Sequence, residues 1–118
     1  MEPNAQAVAA YEAALPPDAD VVKKTMFGCP CAFVQRQMFF GTFGESLVAR
    51  VGPVRAAALV ETPGLRRFAP DGAAVWPDYV QIDPGADAVN LAALAAEARR
   101  WTLSVPPFVK PGRRGARS

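Results

Sequence analysis

The chain has 118 residues, 51% of them hydrophobic and 20% charged, which suits one domain large enough to fold without a metal or a disulfide. It contains no histidine, and this excludes Ser-His-Asp and Cys-His catalysis within a single chain. No apolar run reaches the roughly 18 residues of a membrane span, and the first residues lack the basic region of a secretory signal, so a cytoplasmic protein without membrane contacts is expected.

Positive charge is concentrated at the C-terminal end. The formal net charge is +2, yet residues 1–105 contain 9 basic against 11 acidic residues. The other basic residues, all within 106–118, are Lys110, Arg113, Arg114 and Arg117. The pattern predicts a domain over residues 1–105 followed by a flexible basic tail. The tail offers phosphate contacts to a nucleic acid, but no aromatic residue lies among its arginines to stack on a base, and a solvated terminus is the favoured interpretation.

The first predicted element is a helix over residues 4–15. Asn4 can cap it, because its side-chain oxygen can accept a hydrogen bond from a free first-turn amide. Val8, Tyr11 and Leu15 recur at spacings of three and four and form one apolar stripe. A pair of prolines follows directly and ends the helix.

Three short strands separated by short breaks then predict an antiparallel meander over residues 21–34, 38–43 and 47–51. In the second strand, side chains are expected to alternate between the two faces of the sheet. The two expected sets are Met38, Phe40 and Thr42 on one face, and Phe39, Gly41 and Phe43 on the other.

A helix, a loop, a strand and a last helix complete the predicted order. The second helix opens at Gly52-Pro53, where proline is tolerated, and ends at Pro63. Residues 66–76 are expected to be a loop, and the strand over 76–82 to lie at an edge or to start late, because Pro77 cannot donate a ladder hydrogen bond. A helix over residues 87–104 follows.

This order predicts an α+β fold. The expected sheet is antiparallel, a three-stranded meander plus a further strand, and it is packed by an N-terminal, a middle and a C-terminal helix.

The stretch KKTMFGCPCAFVQRQMFFGTFGESLVARV, residues 23–51, resembles the N-terminal domain of the TfoX/Sxy family of competence regulators. The shared features are MFG entering a strand, the MFFGTF strand after a polar turn, and GESLVARV leading into a helix. The resemblance continues through TPGLRRFAP and WPDYVQI and covers roughly residues 5–104. It implies this family's fold and an association with gene regulation, and it transfers no catalytic residue. The chain departs from the family pattern at residues 29–31, and at 118 residues it is expected to lack the second domain of full-length regulators.

Cys29 and Cys31 are the only cysteines, and both lie in a predicted strand. One intervening residue on an extended backbone strains a direct disulfide between them. Because histidine is absent, a closed zinc site would need two carboxylates, or two further cysteines from a second subunit. The favoured interpretation is that both are small apolar fillers of the sheet. The alternative is a thiol-dependent redox or metal-binding protein that uses Cys29 and Cys31.

The apolar strand at 38–43 predicts an interaction surface. If the helices cover Met38 and Phe40, then Phe39 and Phe43 lie on the other face, as an aromatic surface for a partner or for self-association. The residues expected to fringe this surface are Lys23, Lys24 and Arg50. Sheet and helix core explains the remaining aromatic residues.

The sequence therefore favours a non-enzymatic binding or regulatory module. Capping and turn formation explain its acidic residues, and it has no glycine-rich phosphate loop, so no catalytic residue, metal or cofactor is expected. We expect an unidentified protein partner, with a homodimer as the favoured arrangement, and, by way of the resemblance, a role in transcriptional or competence regulation. Thiol chemistry and weak nucleic-acid binding by the tail are the alternatives.

Overall fold

Hairpin turns and helix caps set the element boundaries in the computed structural model, which describes residues 2–72 and 74–105. The elements are α1 (Ala5–Ala14), β1 (Val22–Met26), β2 (Cys29–Val34), β3 (Gln37–Phe43), β4 (Ser46–Arg50), α2 (Pro53–Leu59), β5 (Leu65–Arg67), β6 (Tyr79–Ile82) and α3 (Leu91–Leu103). The strands form one antiparallel sheet in the order β1-β2-β3-β4-β6-β5. This confirms the expected α+β fold.

Tight turns fold residues 22–50 into a meander with one strand more than predicted. The segment 21–34 holds two strands, because Phe27 and Gly28, with φ of 56° and 78°, form a two-residue turn between β1 and β2. Two successive positive φ angles belong to a type I′ turn, whose twist matches that of paired strands. Gln35 and Arg36, with φ of 49° and 67°, join β2 to β3 in the same way.

Asparagine side chains cap the N-termini of two of the helices. Oδ1 of Asn4 accepts a hydrogen bond from the backbone N–H of Ala7 at 3.0 Å, and Oδ1 of Asn90 accepts one from Ala93 at 3.0 Å. Because Asn90 is the cap, α3 begins four residues later than the predicted start at 87. Even α3, the longest described helix with 13 residues, lacks the length and apolarity of a membrane span.

The segment after α2 departs from the predicted loop. Residues 65–67 form β5, whose Leu65 pairs with Ile82 of β6. The strand β6 begins at Tyr79, two residues after Pro77, so the expected late start is confirmed. It lies inside the sheet, between β4 and β5.

The three described helices all pack against one face of the sheet, and the main core lies between the two layers. Its largest members include Tyr11 and Phe40, whose rings stack with centroids 5.7 Å apart. Leu47 and Ile82 are also fully buried there. Full burial of one such side chain stabilises the fold by about 1.5–3 kcal/mol, so this face carries most of the hydrophobic stabilisation.

A β-bulge in β3 overturns the predicted alternation. Ala32 of β2 pairs with Phe40 while Phe33 pairs with Met38, which leaves Phe39 as an extra residue in the bulged strand. Phe39 and Phe40 are therefore both fully buried in the helix-covered core, and Met38 lies on the opposite face. The prediction that Phe39 belongs to the uncovered face is wrong, because the bulge interrupts the two-residue period.

Candidate interaction surface

The sheet face opposite the helices carries a second apolar cluster. Its buried members are Cys31, Met38, Val48 and Phe68, and partly buried hydrophobic side chains surround them. Connections between strands supply much of this cover, since Phe68 and its neighbour Trp76 lie between β5 and β6. No described helix packs on this face, and the residues packed on it come from the strands and from the connections between them.

Five rings on this face form what we call the aromatic patch: Phe27, Phe43, Phe68, Trp76 and Tyr79. Phe68 is fully buried at its centre, with ring centroids 5.1 Å from Phe43 and 5.2 Å from Trp76, both nearly perpendicular. Edge-to-face pairs of this kind stabilise by about 0.5–1.5 kcal/mol each beyond the area they bury. A hydrogen bond also stabilises the patch, because the Tyr79 hydroxyl donates to the carbonyl oxygen of Met38 at 2.8 Å.

Phe27 is the member of the patch that faces solvent. It is 46% exposed, its ring stands perpendicular to that of Phe43 at 5.4 Å, and it lies 6.3 Å from that of Trp76. Its φ of 56° is in the left-handed region, which costs a residue with a Cβ about 1–2 kcal/mol. Val75, next to Trp76, is exposed as well. A large apolar ring thus occupies a position that both its backbone conformation and its contact with water disfavour.

The two predicted lysines lie on opposite faces of β1. Lys24 pairs with Cys31 and therefore shares the face of the patch, where its ammonium group lies 5.6 Å from the ring centroid of Phe33. Lys23 points to the helix side, with its Nζ 3.7 Å from a carboxylate oxygen of Glu12. Of the two, only Lys24 fringes the expected surface.

Arg50 does not fringe an exposed surface, because its side chain is only 17% exposed. Its Nη1 donates to Oε1 of Gln37 at 2.6 Å and its Nη2 to Oδ2 of Asp78 at 3.3 Å. The guanidinium lies 5.8 Å from the ring centroid of Tyr79 and 5.3 Å from that of Trp101. Arg50 therefore ties the end of α3 to the patch, and it is a structural residue in this arrangement.

Both cysteines are free and buried. Burial raises the pKa of the Cys31 thiol to about 11, and its Sγ lies 3.7 Å from the carbonyl oxygen of Thr42. A reactive thiol needs a lowered pKa and access to solvent, and Cys31 has neither. This geometry favours the interpretation of the pair as packing residues. Within residues 2–72 and 74–105, no three cysteine or carboxylate side chains come together as metal ligands.

The surface cleft near the aromatic patch is too small for a drug-sized molecule and better suits a side chain of a partner protein. The cleft beside it has about 170 Å³ and is lined by residues 75–79, whereas sites for drug-sized ligands hold about 300–1,000 Å³. A larger cleft of about 400 Å³ separates α2 from α3, and the ion pair of Arg55 with Glu97 (2.8 Å) lies at its border.

The structure brings Phe43, Lys24 and Arg50 to one face of the sheet, although Arg50 is largely buried there against Tyr79. It places Phe39 and Lys23 on the helix side. Sequence reasoning missed Phe27, because asparagine, aspartate and glycine are the usual first residues of such a turn and phenylalanine is not. The predicted nucleic-acid contacts Lys110, Arg113, Arg114 and Arg117 lie outside the described residues.

Comparison with protein-family models, with curated proteins and with solved structures finds no match to the chain. The geometry alone therefore defines it as an α+β protein with helices on one face of an antiparallel sheet and an aromatic patch on the other. The resemblance to the TfoX/Sxy N-terminal domain stays a prediction.

Proposed function

We propose that the chain is a non-enzymatic, cytoplasmic binding module of the TfoX N-terminal type that acts through protein contacts. In this proposal it pairs with a second copy of itself through the aromatic patch, and its regulatory role, linked to transcription or competence, depends on those contacts.

The half-exposed ring of Phe27 is the observation that carries the proposal. Its own chain contacts one side of the ring, through Phe43 and Trp76, and leaves the other side in water. Aromatic residues held in a fixed orientation are typical anchors of protein interfaces, because they bury a large area and lose little conformational entropy on binding. A neighbouring copy that covered Phe27 and Val75 would remove this exposed apolar surface from water.

The substitution Phe27→Asn tests the proposal without endangering the fold. Asn-Gly is the pair that type I′ turns prefer, so the free energy of unfolding of this variant is expected to lie within about 1 kcal/mol of that of the parent protein. Sedimentation equilibrium over a wide range of concentrations should show a reversible dimer for the parent and a monomer for Phe27→Asn.

Val54→Ser is the matched control, because Val54 is even more exposed (84%) but lies at the start of α2, away from the patch. It should dimerise like the parent. A parent protein that stays monomeric at the highest concentration, or a Phe27→Asn variant that dimerises normally, contradicts self-association through the patch.

A further inference from the structure

The sheet ends on one side at β1, and that edge is open in the described structure. β1 pairs with β2 over Val22–Met26, and no other described strand pairs with it. Met26 and Cys29 close the two-residue turn as a hydrogen-bonded pair, and such pairs alternate along an antiparallel ladder. Lys23 and Thr25 therefore direct their N–H and C=O groups outward. An exposed edge of this kind is a template for an additional strand.

The opposite edge of the sheet offers much less. β5 has three residues, and the guanidinium of Arg66 is already bound to a carboxylate oxygen of Asp83 at 2.7 Å and to the hydroxyl of Ser46 at 2.9 Å. A strand this short presents few free backbone groups, so β1 is the edge that can receive a partner.

Electrostatic repulsion disfavours pairing of this edge with the same edge of a second copy of the chain. Antiparallel self-pairing that overlaps all five residues of β1 places Lys24 directly opposite Lys24 of the other copy. Like charges in directly opposed positions destabilise a pair of strands, and lysine on an edge strand is a common protection against such pairing. The same lysine attracts a strand of opposite charge.

The surroundings of Lys24 indicate what the residue opposite it should be. Lys23 has Glu12 nearby, whereas Lys24 forms no ion pair with any described residue, and its ammonium group lies over the Phe33 ring. An acidic side chain opposite Lys24 would supply the missing anion. Two residues away on the same face lie Val22, which is 49% exposed, and Met26, so the flanking positions of the incoming strand should be apolar.

The helix side of this edge has room for an incoming strand. A cleft of about 230 Å³ lies between α1 and β1, and it is lined by Tyr11, Glu12, Lys23, Lys24, Thr25 and Pro30. Small polar side chains at the alternate positions of a partner strand fit such a cleft.

We propose that β1 accepts an extended acidic segment of another protein as a seventh, antiparallel strand of the sheet. The segment carries an acidic residue opposite Lys24 and apolar residues two positions before and after it. This site is the edge of the sheet, not its face, and the inference goes beyond the proposed self-association and does not depend on it.

NMR titration of the ¹⁵N-labelled full chain with the acetylated and amidated peptide Val-Thr-Glu-Thr-Val tests the inference, since this method detects weak binding. We expect the largest amide shifts at residues 22–26. The peptide with lysine in place of glutamate should bind about three- to tenfold more weakly, as one favourable and one unfavourable opposed charge pair imply. In Lys24→Glu the preference between the two peptides should be reversed.

Two controls make the test specific. Arg67→Glu makes the same change of charge at an exposed position of β5, the other edge strand, and should leave the affinity unchanged. Because the two threonine amides of the peptide face β1, N-methylation of either should abolish binding, whereas N-methylation of glutamate should not.

Any one of three results overturns the inference. These are an absence of shifts in β1, an equal affinity for both peptides in the parent and in Lys24→Glu, and an equal effect of N-methylation at all positions. Because dimerisation is measured separately with Phe27→Asn, failure of strand addition is distinguishable from failure of the proposed function.

Discussion

Gly41 should not tolerate a side chain, although its backbone conformation would. It lies on β3 opposite Cys31, and a Cβ at this position would come within 2.5 Å of the Cys31 Sγ and 2.9 Å of the Cys31 Cα and Cβ. Favourable carbon contacts are about 3.5–4.0 Å long, so Gly41→Ala forces the two strands or the thiol to move. Gly41 has no positive φ, so the cost comes from this contact and not from the backbone.

Two effects of opposite sign set the magnitude. Alanine restricts the unfolded chain more than glycine does, which stabilises by about 0.4–1 kcal/mol. Overpacking of a well-filled core costs about 1–3 kcal/mol. The overpacking cost outweighs the entropic gain here, because the Cα of Cys31 is backbone of the neighbouring strand and cannot rotate away. We expect Gly41→Ala to lower the free energy of unfolding by about 1–2 kcal/mol and the melting temperature by about 4–10 °C.

Urea denaturation followed by circular dichroism measures this change, and Gly85→Ala is the matched control. An added Cβ at Gly85 meets no heavy atom within 4 Å, and its φ is not positive, so this variant should be as stable as the parent or slightly more stable. The steric reasoning is refuted if Gly41→Ala and Gly85→Ala unfold at the same urea concentration. In a Cys31→Ala background the cost of Gly41→Ala should become smaller, because the closest clashing atom is gone.

Two further predictions concern buried ionisable groups. With a pKa of about 11, only about one Cys31 thiol in a thousand is ionised at pH 8, and the Cys29 thiol is fully buried. A disulfide reagent should therefore label both thiols only as fast as the fold opens, and faster with added urea, whereas rapid labelling of both without denaturant would contradict the packing role. Burial raises the pKa of Cys31 from 9.0 to about 11 and the pKa of Tyr79 from 10.0 to about 12. Because the unfolded chain releases these two protons at lower pH than the folded chain, the stability present below pH 9 should be lost as pH rises through 11 and 12. Cys31→Ala should flatten the loss between pH 9 and 11 in alkaline urea titrations, and a parent protein with constant stability over that interval would contradict it.

Local signals predicted the helices and most strands because they act over a few residues. An asparagine cap, a proline at a helix start and the late start of the strand after Pro77 depend only on the nearest peptide groups. The turn at Phe27 and Gly28 was missed, since phenylalanine is a rare choice for a positive φ. β5 was missed because three residues carry no period, and only pairing with β6 makes them a strand.

The bulge at Phe39 also explains why most of the candidate surface could not be predicted from the pattern of β3. With Phe39 and Phe40 both turned toward the helices, β3 leaves space on the other face, and rings from outside the strands fill it. These rings belong to Phe27 in a turn and to Phe68 and Trp76 in a connection, so their approach depends on tertiary packing that no periodicity encodes. Phe68 is completely covered by its own chain, whereas Phe27 is covered on one side only. The Phe27 ring therefore packs on Phe43 and Trp76 on one side and leaves apolar surface in water on the other, and this is the surface that the proposed self-association would cover.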